Sequence, residues 1–272
     1  MLAGVFATSA DAAPPGKSET AASGDVRATI VYPVTSGKTV FTVRLSISRA
    51  GRVVVEERVP PYFRRSPGMW PAGAISERKS IAVKDLDGDG EPEVLLDFHW
   101  GGAHCCWWSR IYRWRASARR YAAIAHFWGD VAYRLTDLER DRRPEFVTAD
   151  TRFAYAFSSF AESSFPLQVW TYSSGPFIDT TRDYPGLVRE DAAKKWRWRV
   201  VAHRKHWNEL GVLAAWTADR CLLGHGDEAF ARLRRLIAAG ALGDDGWGSL
   251  AGYVPKLRTF LQRNGYSCRG KT

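Results

Sequence analysis

The sequence predicts a β-rich fold of antiparallel sheets, arranged as a partial or open propeller-like assembly and followed by an α-helical C-terminal module. Three observations lead to this prediction. Short strands with alternating polarity lie near the N-terminus, an acidic loop between strands recurs after about 50 residues, and helical periodicity fills the last third of the 272-residue chain. Repeats of this length with short strands and turns are typical of propeller-like architectures.

The first sheet is predicted from three stretches in which apolar and polar residues alternate. They cover residues 28–32, 39–47 and 52–56. The turn Arg49-Ala50-Gly51 joins the last two stretches as a β-hairpin. We therefore expect an N-terminal sheet without an acidic loop. This sheet is the first part of a β domain predicted over residues 26–185.

The most informative motif is an acidic, glycine-rich loop between two short strands. It has the pattern D-x-D-x-D-G-x-x-E, with acidic side chains at Asp85, Asp87, Asp89 and Glu93. Such carboxylates repel one another unless a hard cation lies between them, and an all-oxygen ligand set suits Ca²⁺ better than Zn²⁺ or copper. An acidic turn without metal is the alternative. An EF-hand is disfavoured, because it requires flanking helices and a Glu where this loop has Leu96.

This hairpin resembles the calcium-binding hairpin of FG-GAP/VCBS repeats, the blade unit of integrin-α-like β-propellers. The resemblance implies that the loop carboxylates and the backbone carbonyl of Glu91 bind Ca²⁺, while Gly88 and Gly90 permit the tight turn. The implied metal ligands are Asp85, Asp87, Asp89, Glu91 and Glu93. The Phe-Gly and Gly-Ala-Pro signatures of the family are missing, and 272 residues are too few for a closed propeller of integrin type. We therefore expect an open or incomplete assembly.

A second copy of the loop begins at Asp137, and positions 137 and 85 differ by 52. The following residues align with the first loop one for one: Asp137, Glu139, Asp141, Pro144 and Glu145. Arg140 and Arg142 replace the two glycines, and Arg143 adds a third cation. The guanidinium groups of these arginines are expected to neutralise the carboxylates. We predict a repeat that keeps its shape without an ion; a weaker second calcium site is the alternative. The two repeats are predicted over about 80–130 and 131–180.

The C-terminal module is predicted over residues 186–272, where the hydrophobic period changes to that of a helix. Four helices are expected over about 187–206, 208–223, 227–239 and 250–264. Gly224, Gly240 and Gly265 stand where helix-ending glycines belong, and Asp227 is the expected N-cap of the third helix. Nothing in this module suggests catalysis.

Export is predicted from the N-terminal residues. Residues 1–12 resemble the end of a signal peptide, with an A-x-A cleavage site at residues 10–12. A flexible linker over residues 13–25 is expected to follow, because this stretch is rich in Pro, Gly, Ser and Ala. A disordered Ala-rich tail is the alternative. No other stretch is long and apolar enough to span a bilayer. We therefore expect a secreted or cell-envelope protein.

The four cysteines agree with export, since an even number suits disulfide pairing. Cys221 ends one predicted helix and Cys268 follows another, so a bridge between them closes a 47-residue interval. Cys105 and Cys106 then form a vicinal disulfide or remain buried thiols.

The aromatic segment over residues 100–108 contains the adjacent cysteines. We interpret it as a tight turn with core tryptophans; a carbohydrate-binding or catalytic surface is the alternative. Zinc bound by His99, His104, Cys105 and Cys106 is a weaker hypothesis, because zinc sites favour two to four residues between cysteines.

Charge says little about the ligand. The formal charge is +10 and the isoelectric point about 9.6, but the basic residues are mostly arginines scattered along the chain. The densest cluster, residues 194–199, alternates cations with tryptophan and is a candidate for contact with an anionic cell-wall or membrane surface. The solvated face of an amphipathic helix is the favoured alternative.

The function expected from these features is that of an exported calcium-binding protein with a binding or adhesion role and no evident catalysis. Its expected partner is a protein or glycan, with no specific nucleic acid. One alternative is a secreted metal-assisted hydrolase that uses the acidic loop or the region of His99 and His104. Another is a polyanion-binding protein of the cell envelope.

Overall fold

The computed structural model describes residues 16–33, 42–63, 69–102, 104–242 and 250–268. Within these residues the chain forms thirteen β-strands in three antiparallel sheets, followed by helices. The β-rich antiparallel fold with C-terminal helices is therefore confirmed. The predicted signal-peptide remnant, residues 1–12, lies outside the described residues.

The first sheet has four strands in the order in which they follow along the chain. The strands are β1 (Gly16–Ser23), β2 (Val26–Pro33), β3 (Arg44–Arg49) and β4 (Arg52–Arg58). Strand β2 alternates strictly and buries Val26, Ala28, Ile30 and Tyr32. The predicted hairpin between β3 and β4 is confirmed, and its turn places both Ala50 and Gly51 at positive φ, as type I′ turns require.

Strand β1 occupies most of the predicted flexible linker, so the linker prediction for residues 13–25 is wrong for Gly16–Ser23. Every side chain of β1 is exposed or half-buried, and the strand lacks the alternation of apolar and polar residues that marks a strand in a sequence. Its backbone pairs with β2 along its whole length. Glu19 of β1 also stabilises the position of this strand. The Glu19 carboxylate accepts hydrogen bonds from the Tyr32 hydroxyl (2.5 Å) and the Ser80 backbone N–H (2.8 Å).

The second and third sheets contain the two predicted repeats. The second sheet comprises β5 (Trp70–Pro71), β6 (Ile81–Lys84), β7 (Glu93–His99), β8 (Trp107–Arg115) and β9 (Arg120–Gly129), with the short helix α1 (Ala72–Ile75) between β5 and β6. The third comprises β10 (Arg134–Thr136), β11 (Glu145–Ala149), β12 (Leu167–Tyr172) and β13 (Phe177–Asp179). In both sheets the acidic loop joins the first two strands of the repeat.

Strand register repeats with the same spacing as the loops. Lys84 pairs with Glu93 where β6 meets β7, and Thr136 pairs with Glu145 where β10 meets β11. Each residue of the second pair lies 52 positions after its counterpart in the first. Each loop is thus closed by an equivalent strand pair, as expected for two copies of one four-stranded unit.

The four predicted C-terminal helices are present, with boundaries within a few residues of the expected ones. They are α2 (Pro185–Arg204), α3 (Leu210–Leu222), α4 (Gly226–Ala238) and α5 (Leu250–Arg263). Gly224, Gly240 and Gly265 all have positive φ just beyond helix ends, as predicted. Asp227 is not the N-cap of α4, because the helix already begins at Gly226; it lies in the first turn, where a negative charge is favourable.

The helices share a core with neighbouring loop residues. Leu213, Phe230, Leu257 and Leu261 are fully buried in this core, and Phe153 packs there from the segment after β11. Cys221 and Cys268 are joined by a disulfide within the same core, as predicted. Among the described residues, no helix combines the length and apolarity that a membrane span requires.

The chain divides into two compact units that differ from the predicted domains. The first unit includes the described residues of the ranges 1–84, 92–103 and 109–125. The second includes those of 85–91, 104–108 and 126–272. The helical segment predicted as a separate module over 186–272 therefore belongs to one unit with the third sheet, because the loop after β11 packs into the helical core.

Candidate metal site

Three of the predicted metal ligands converge in the loop between β6 and β7. Carboxylate oxygens of Asp85, Asp87 and Asp89 all lie within 4.8 Å of one another. Asp87 is buried, Asp85 is half-buried and Asp89 is exposed. The group is therefore anchored on one side and reachable from solvent on the other.

The loop wraps around its first aspartate. The two carboxylate oxygens of Asp85 accept hydrogen bonds from the backbone N–H groups of Gly88 (2.7 Å) and Gly90 (2.9 Å). Asp89 accepts a similar bond from the N–H of Glu91 (2.9 Å). Gly88 and Gly90 have φ values of 77° and 85°, which glycine adopts without steric cost. The backbone thus orients the carboxylates toward one another.

The oxygen set fits a hard divalent cation. Ca²⁺ binds oxygen at about 2.3–2.6 Å, so two ligand oxygens on opposite sides of one ion lie about 5 Å apart. The three carboxylate oxygens all lie within 4.8 Å of one another, which is inside that limit. A carboxylate oxygen that accepts one hydrogen bond keeps a further lone pair for a metal. The three side chains are therefore able to share one ion.

The remaining predicted ligands are Glu91 and Glu93. Glu93 begins strand β7 and is fully buried, and its Oε1 lies 3.4 Å from Nε of Arg113. This carboxylate therefore has a cationic protein partner. The structure brings three of the five predicted ligands together, and the ligand roles of Glu91 and Glu93 stay predictions.

Two residues near the loop were not found by sequence reasoning. The hydroxyl of Ser174, between β12 and β13, donates a hydrogen bond to Oδ2 of Asp87 (2.8 Å). The side chain of Arg143 packs on Gly88, where an added Cβ would lie 2.5 Å from Cγ of the arginine. No local spacing links either residue to the loop, so only the folded chain reveals these contacts.

The second loop keeps the backbone shape of the first. Asp137 accepts hydrogen bonds from the N–H groups of Asp141 (3.1 Å) and Arg142 (3.0 Å), and Asp141 accepts one from Arg143 (2.9 Å). Arg140 and Arg142 have positive φ values of 61° and 74°, like the glycines that they replace. The prediction that the second repeat retains its loop shape is confirmed for the backbone.

The carboxylates of the second loop do not form a comparable group. In the described part of the chain, only the first loop brings three acidic side chains within 4.8 Å of one another. Burial raises the pKa of Glu145, although the N–H of Leu138 donates a hydrogen bond to it (2.8 Å). This environment is unfavourable for a cation ligand, because it stabilises the neutral carboxyl.

The predicted neutralisation of the second loop by its arginines is wrong. Arg140, Arg142 and Arg143 are exposed, and among the described residues none forms an ion pair with a carboxylate of the loop. Surface ion pairs gain little in water because they lose side-chain entropy and are screened. These carboxylates are held by backbone N–H groups instead.

The residues considered for zinc have other partners. Cys105 and Cys106 are joined to each other by a disulfide, so their thiolates are unavailable to a metal. The ring of His104 stacks on Phe160 with centroids 4.1 Å apart. Burial lowers the pKa of His99, and its Nδ1 accepts a backbone hydrogen bond of 2.9 Å. The zinc set suggested for these residues does not form.

The basic-aromatic segment 194–199 lies in α2 but is not a single solvated face. Lys195 is buried and forms ion pairs with Asp191 and with Asp219, the latter at 3.1 Å. Arg199 pairs with the buried Glu209 at 2.5 Å. The expectation of a solvated face is therefore wrong for Lys195 and Arg199, two of the four cations of this segment. Their charges are neutralised by acidic residues on the packed side of α2.

The fold and the loop together define a β-rich protein of antiparallel sheets with C-terminal helices and a carboxylate group suited to a hard cation. The chain is 31% identical over 156 residues to a probable thylakoid lumen protein of Synechocystis sp., which covers 55% of this chain and 45% of that protein. It is 29% identical over 198 residues to an uncharacterized protein of Sinorhizobium fredii, which covers 68% of this chain and 28% of that protein. The chain thus matches less than half the length of either relative. No family model matches the chain, and no solved structure matches it significantly.

Proposed function

We propose that the protein is an extracytoplasmic calcium-binding protein in which Ca²⁺ stabilises a sheet that serves binding or adhesion. The observation that carries this proposal is the group formed by Asp85, Asp87 and Asp89, whose oxygens lie within 4.8 Å of one another. Three carboxylates at this distance repel one another strongly, and a bound divalent cation reverses that repulsion.

The ion is proposed to have a structural role. Asp87 is buried and bonded to Ser174, a residue between two strands of the third sheet. A cation bound by Asp87 would therefore hold the loop where Ser174 already contacts it. Because the three aspartate carboxylates converge on one point and Asp87 is tied to Ser174 of the neighbouring segment, we propose a structural ion in a binding protein rather than a catalytic one.

We also propose the class of repeat to which the two four-stranded units belong. Two four-stranded units with an acidic loop between their first two strands, related by 52 residues, are consistent with FG-GAP/VCBS-like blades. Under this proposal the sheets form a partial propeller-like assembly with a protein or glycan as the bound partner. The first repeat keeps the glycines and the carboxylate group, and the second keeps only the backbone shape.

Two observations support an extracytoplasmic location. One relative is described as a probable thylakoid lumen protein, and the lumen lies outside the cytoplasm. The Cys221–Cys268 disulfide agrees with an oxidising compartment, where such bridges form and persist. The proposed site of action is therefore the secreted or cell-envelope space.

Thermal and urea unfolding in calcium and in chelator test the proposal. Calcium at about 100 times its dissociation constant is expected to increase the free energy of unfolding by about 2.7 kcal/mol. Asp87→Ala is expected to abolish this gain. Glu139→Ala is the matched control at the equivalent position of the second loop, and it is expected to leave the gain intact.

Two results would contradict the proposal. One is wild-type protein that unfolds identically in calcium and in chelator. The other is a calcium response that Glu139→Ala removes and Asp87→Ala preserves, since the ion would then belong to the second loop. Magnesium at the same concentration provides an ion control, because its shorter and stricter octahedral coordination suits this loop less well.

A further inference from the structure

Helices α2, α3 and α4 form a groove of about 670 Å³. Helix α3 packs against both other helices and contributes Trp216 to the lining, and Leu223 lines the groove directly after the helix ends. The groove is lined by five arginines: Arg189, Arg197, Arg220, Arg232 and Arg235. Glu228 is its only acidic lining residue among the described residues. The walls of the groove therefore carry a concentrated positive charge.

Among the described residues, most of this charge has no counter-ion. Arg220 pairs with Glu228 at 2.9 Å, but the Glu228 side chain is 69% exposed. The other four arginines of the groove form no ion pair with a described residue. Burial lowers the pKa of Arg232, and the nearby charges of Arg235, Arg199 and Arg220 lower it further. Crowding of this kind is relieved when an anion enters.

An aromatic surface lies beside these cations. The guanidinium of Arg232 stacks over the ring of Trp196 at 3.7 Å, and Trp196 contacts Trp216 with ring centroids 4.9 Å apart. Stacking restricts the long side chain of Arg232, so less entropy is lost when it binds a ligand. Trp216 is almost fully buried, so most of its ring packs against the protein rather than against solvent.

The helix that carries much of this groove is itself fixed in place. Lys195 of α2 pairs with the buried Asp219 of α3, and Arg199 pairs with the buried Glu209 just before α3. These residues lie on the packed side of α2, whereas Arg189 and Arg197 line the groove. The arrangement of arginines is therefore held by packed contacts before a ligand arrives.

We propose that this groove binds a ligand that carries two or more phosphate groups. Arginine forks match phosphate oxygens in a bidentate manner. Four guanidinium groups that form no ion pair with a described residue provide charge for more than one phosphate. The volume lies within the range of sites for small molecules, about 300–1,000 Å³. The ligand is a free polyphosphorylated compound or the headgroups of anionic phospholipids. This proposal is independent of the calcium site, which shares no residue with the groove.

Isothermal titration calorimetry of the full chain with inorganic tripolyphosphate tests the free-ligand source. Saturable, salt-sensitive binding to one site is expected. Arg232→Gln is expected to weaken binding about tenfold, equivalent to about 1.4 kcal/mol, and Arg232→Lys to restore part of the affinity. Arg204→Gln is the matched control, because Arg204 is exposed on α2 outside the groove.

Co-sedimentation with vesicles of equal parts phosphatidylglycerol and phosphatidylcholine tests the lipid source. Vesicle binding that Arg232→Gln weakens and Arg204→Gln does not, in the absence of tripolyphosphate binding, assigns the groove to lipid headgroups. The proposal is overturned if neither probe binds, or if the control variant weakens binding as much as Arg232→Gln. Thermal unfolding of each variant verifies that the comparison is made between folded proteins.

Discussion

Arg140 adopts the left-handed backbone conformation of Gly88, its counterpart 52 residues earlier, with φ values of 61° and 77°. Arg142 repeats the conformation of Gly90 in the same way. For a residue with a side chain this conformation costs roughly 1–2 kcal/mol. The second loop therefore keeps a shape suited to glycine, because its strand register and the hydrogen bonds to Asp137 determine the path of the backbone.

Replacing these arginines with glycine is expected to stabilise the protein. Arg140→Gly and Arg142→Gly remove the steric strain, while the greater freedom of glycine in the unfolded chain offsets part of the gain. The net increase in the free energy of unfolding is expected to be about 0.5–1 kcal/mol for each. Urea unfolding measures it. Arg143→Gly, at a position without positive φ, is the control and is expected to be destabilising.

Packing between the two loops predicts different responses at the two glycines of the first loop. Alanine at either position is strained by positive φ, but only at Gly88 does an added Cβ meet a neighbour, Cγ of Arg143 at 2.5 Å; at Gly90 it meets nothing within 4 Å. Gly88→Ala is expected to destabilise by about 1–2 kcal/mol more than Gly90→Ala.

A double-mutant cycle isolates this contact. Arg143→Ala is expected to relieve much of the additional destabilisation caused by Gly88→Ala and to leave Gly90→Ala unchanged. Equal losses of unfolding free energy for the two glycine variants, with no coupling to Arg143, would refute the packing of the second loop on the first.

The environment of Glu19 predicts that the folded protein loses stability as the pH falls. Burial alone raises the pKa of Glu19, but hydrogen bonds from Tyr32 and Ser80 and the charge of Lys17 outweigh it, so the pKa lies below its usual value. The ionised carboxylate thus favours the folded state. Its contribution is complete above the unfolded pKa and is lost as pH falls through the lower folded pKa.

Glu19→Gln is expected to lower the free energy of unfolding at neutral pH by about 1–2 kcal/mol and to flatten its decline in acid. Urea unfolding between about pH 7 and pH 3 measures both effects. Glu56→Gln on β4 makes the same change of charge at an exposed residue, and its profile is expected to follow the wild type. A Glu19→Gln profile parallel to the wild type would argue against this role.

Removing the Cys221–Cys268 disulfide is expected to lower the free energy of unfolding substantially. This disulfide closes an interval of 47 residues, which corresponds to about 4 kcal/mol in the loop-entropy model. The double variant Cys221→Ala/Cys268→Ala is expected to lose about this much unfolding free energy. Cys105→Ala/Cys106→Ala is the comparison, because adjacent cysteines close no loop; an equal loss there would speak against the entropic explanation.

Local signals predicted much of this fold. The helices follow from apolar periodicity and from stop signals, as Gly224 and Gly240 illustrate, because both the pattern and the cap act within a few residues. The hairpin at Ala50 and Gly51 is equally local. Strand β1 escaped prediction, because its exposed side chains carry no pattern and its stability comes from pairing with β2 and from Glu19.

Of the candidate sites, the carboxylate group was predictable from the sequence and the arginine groove was not. The residue spacing from Asp85 to Asp89 was sufficient to predict the carboxylate group, because the hydrogen bonds that shape the loop join residues at most five positions apart. The contact of Ser174 with Asp87 and the arginine groove required the folded chain. Residues far apart along the chain meet there only because strands and helices pack, and that packing depends on the summed burial of many side chains rather than on any short motif.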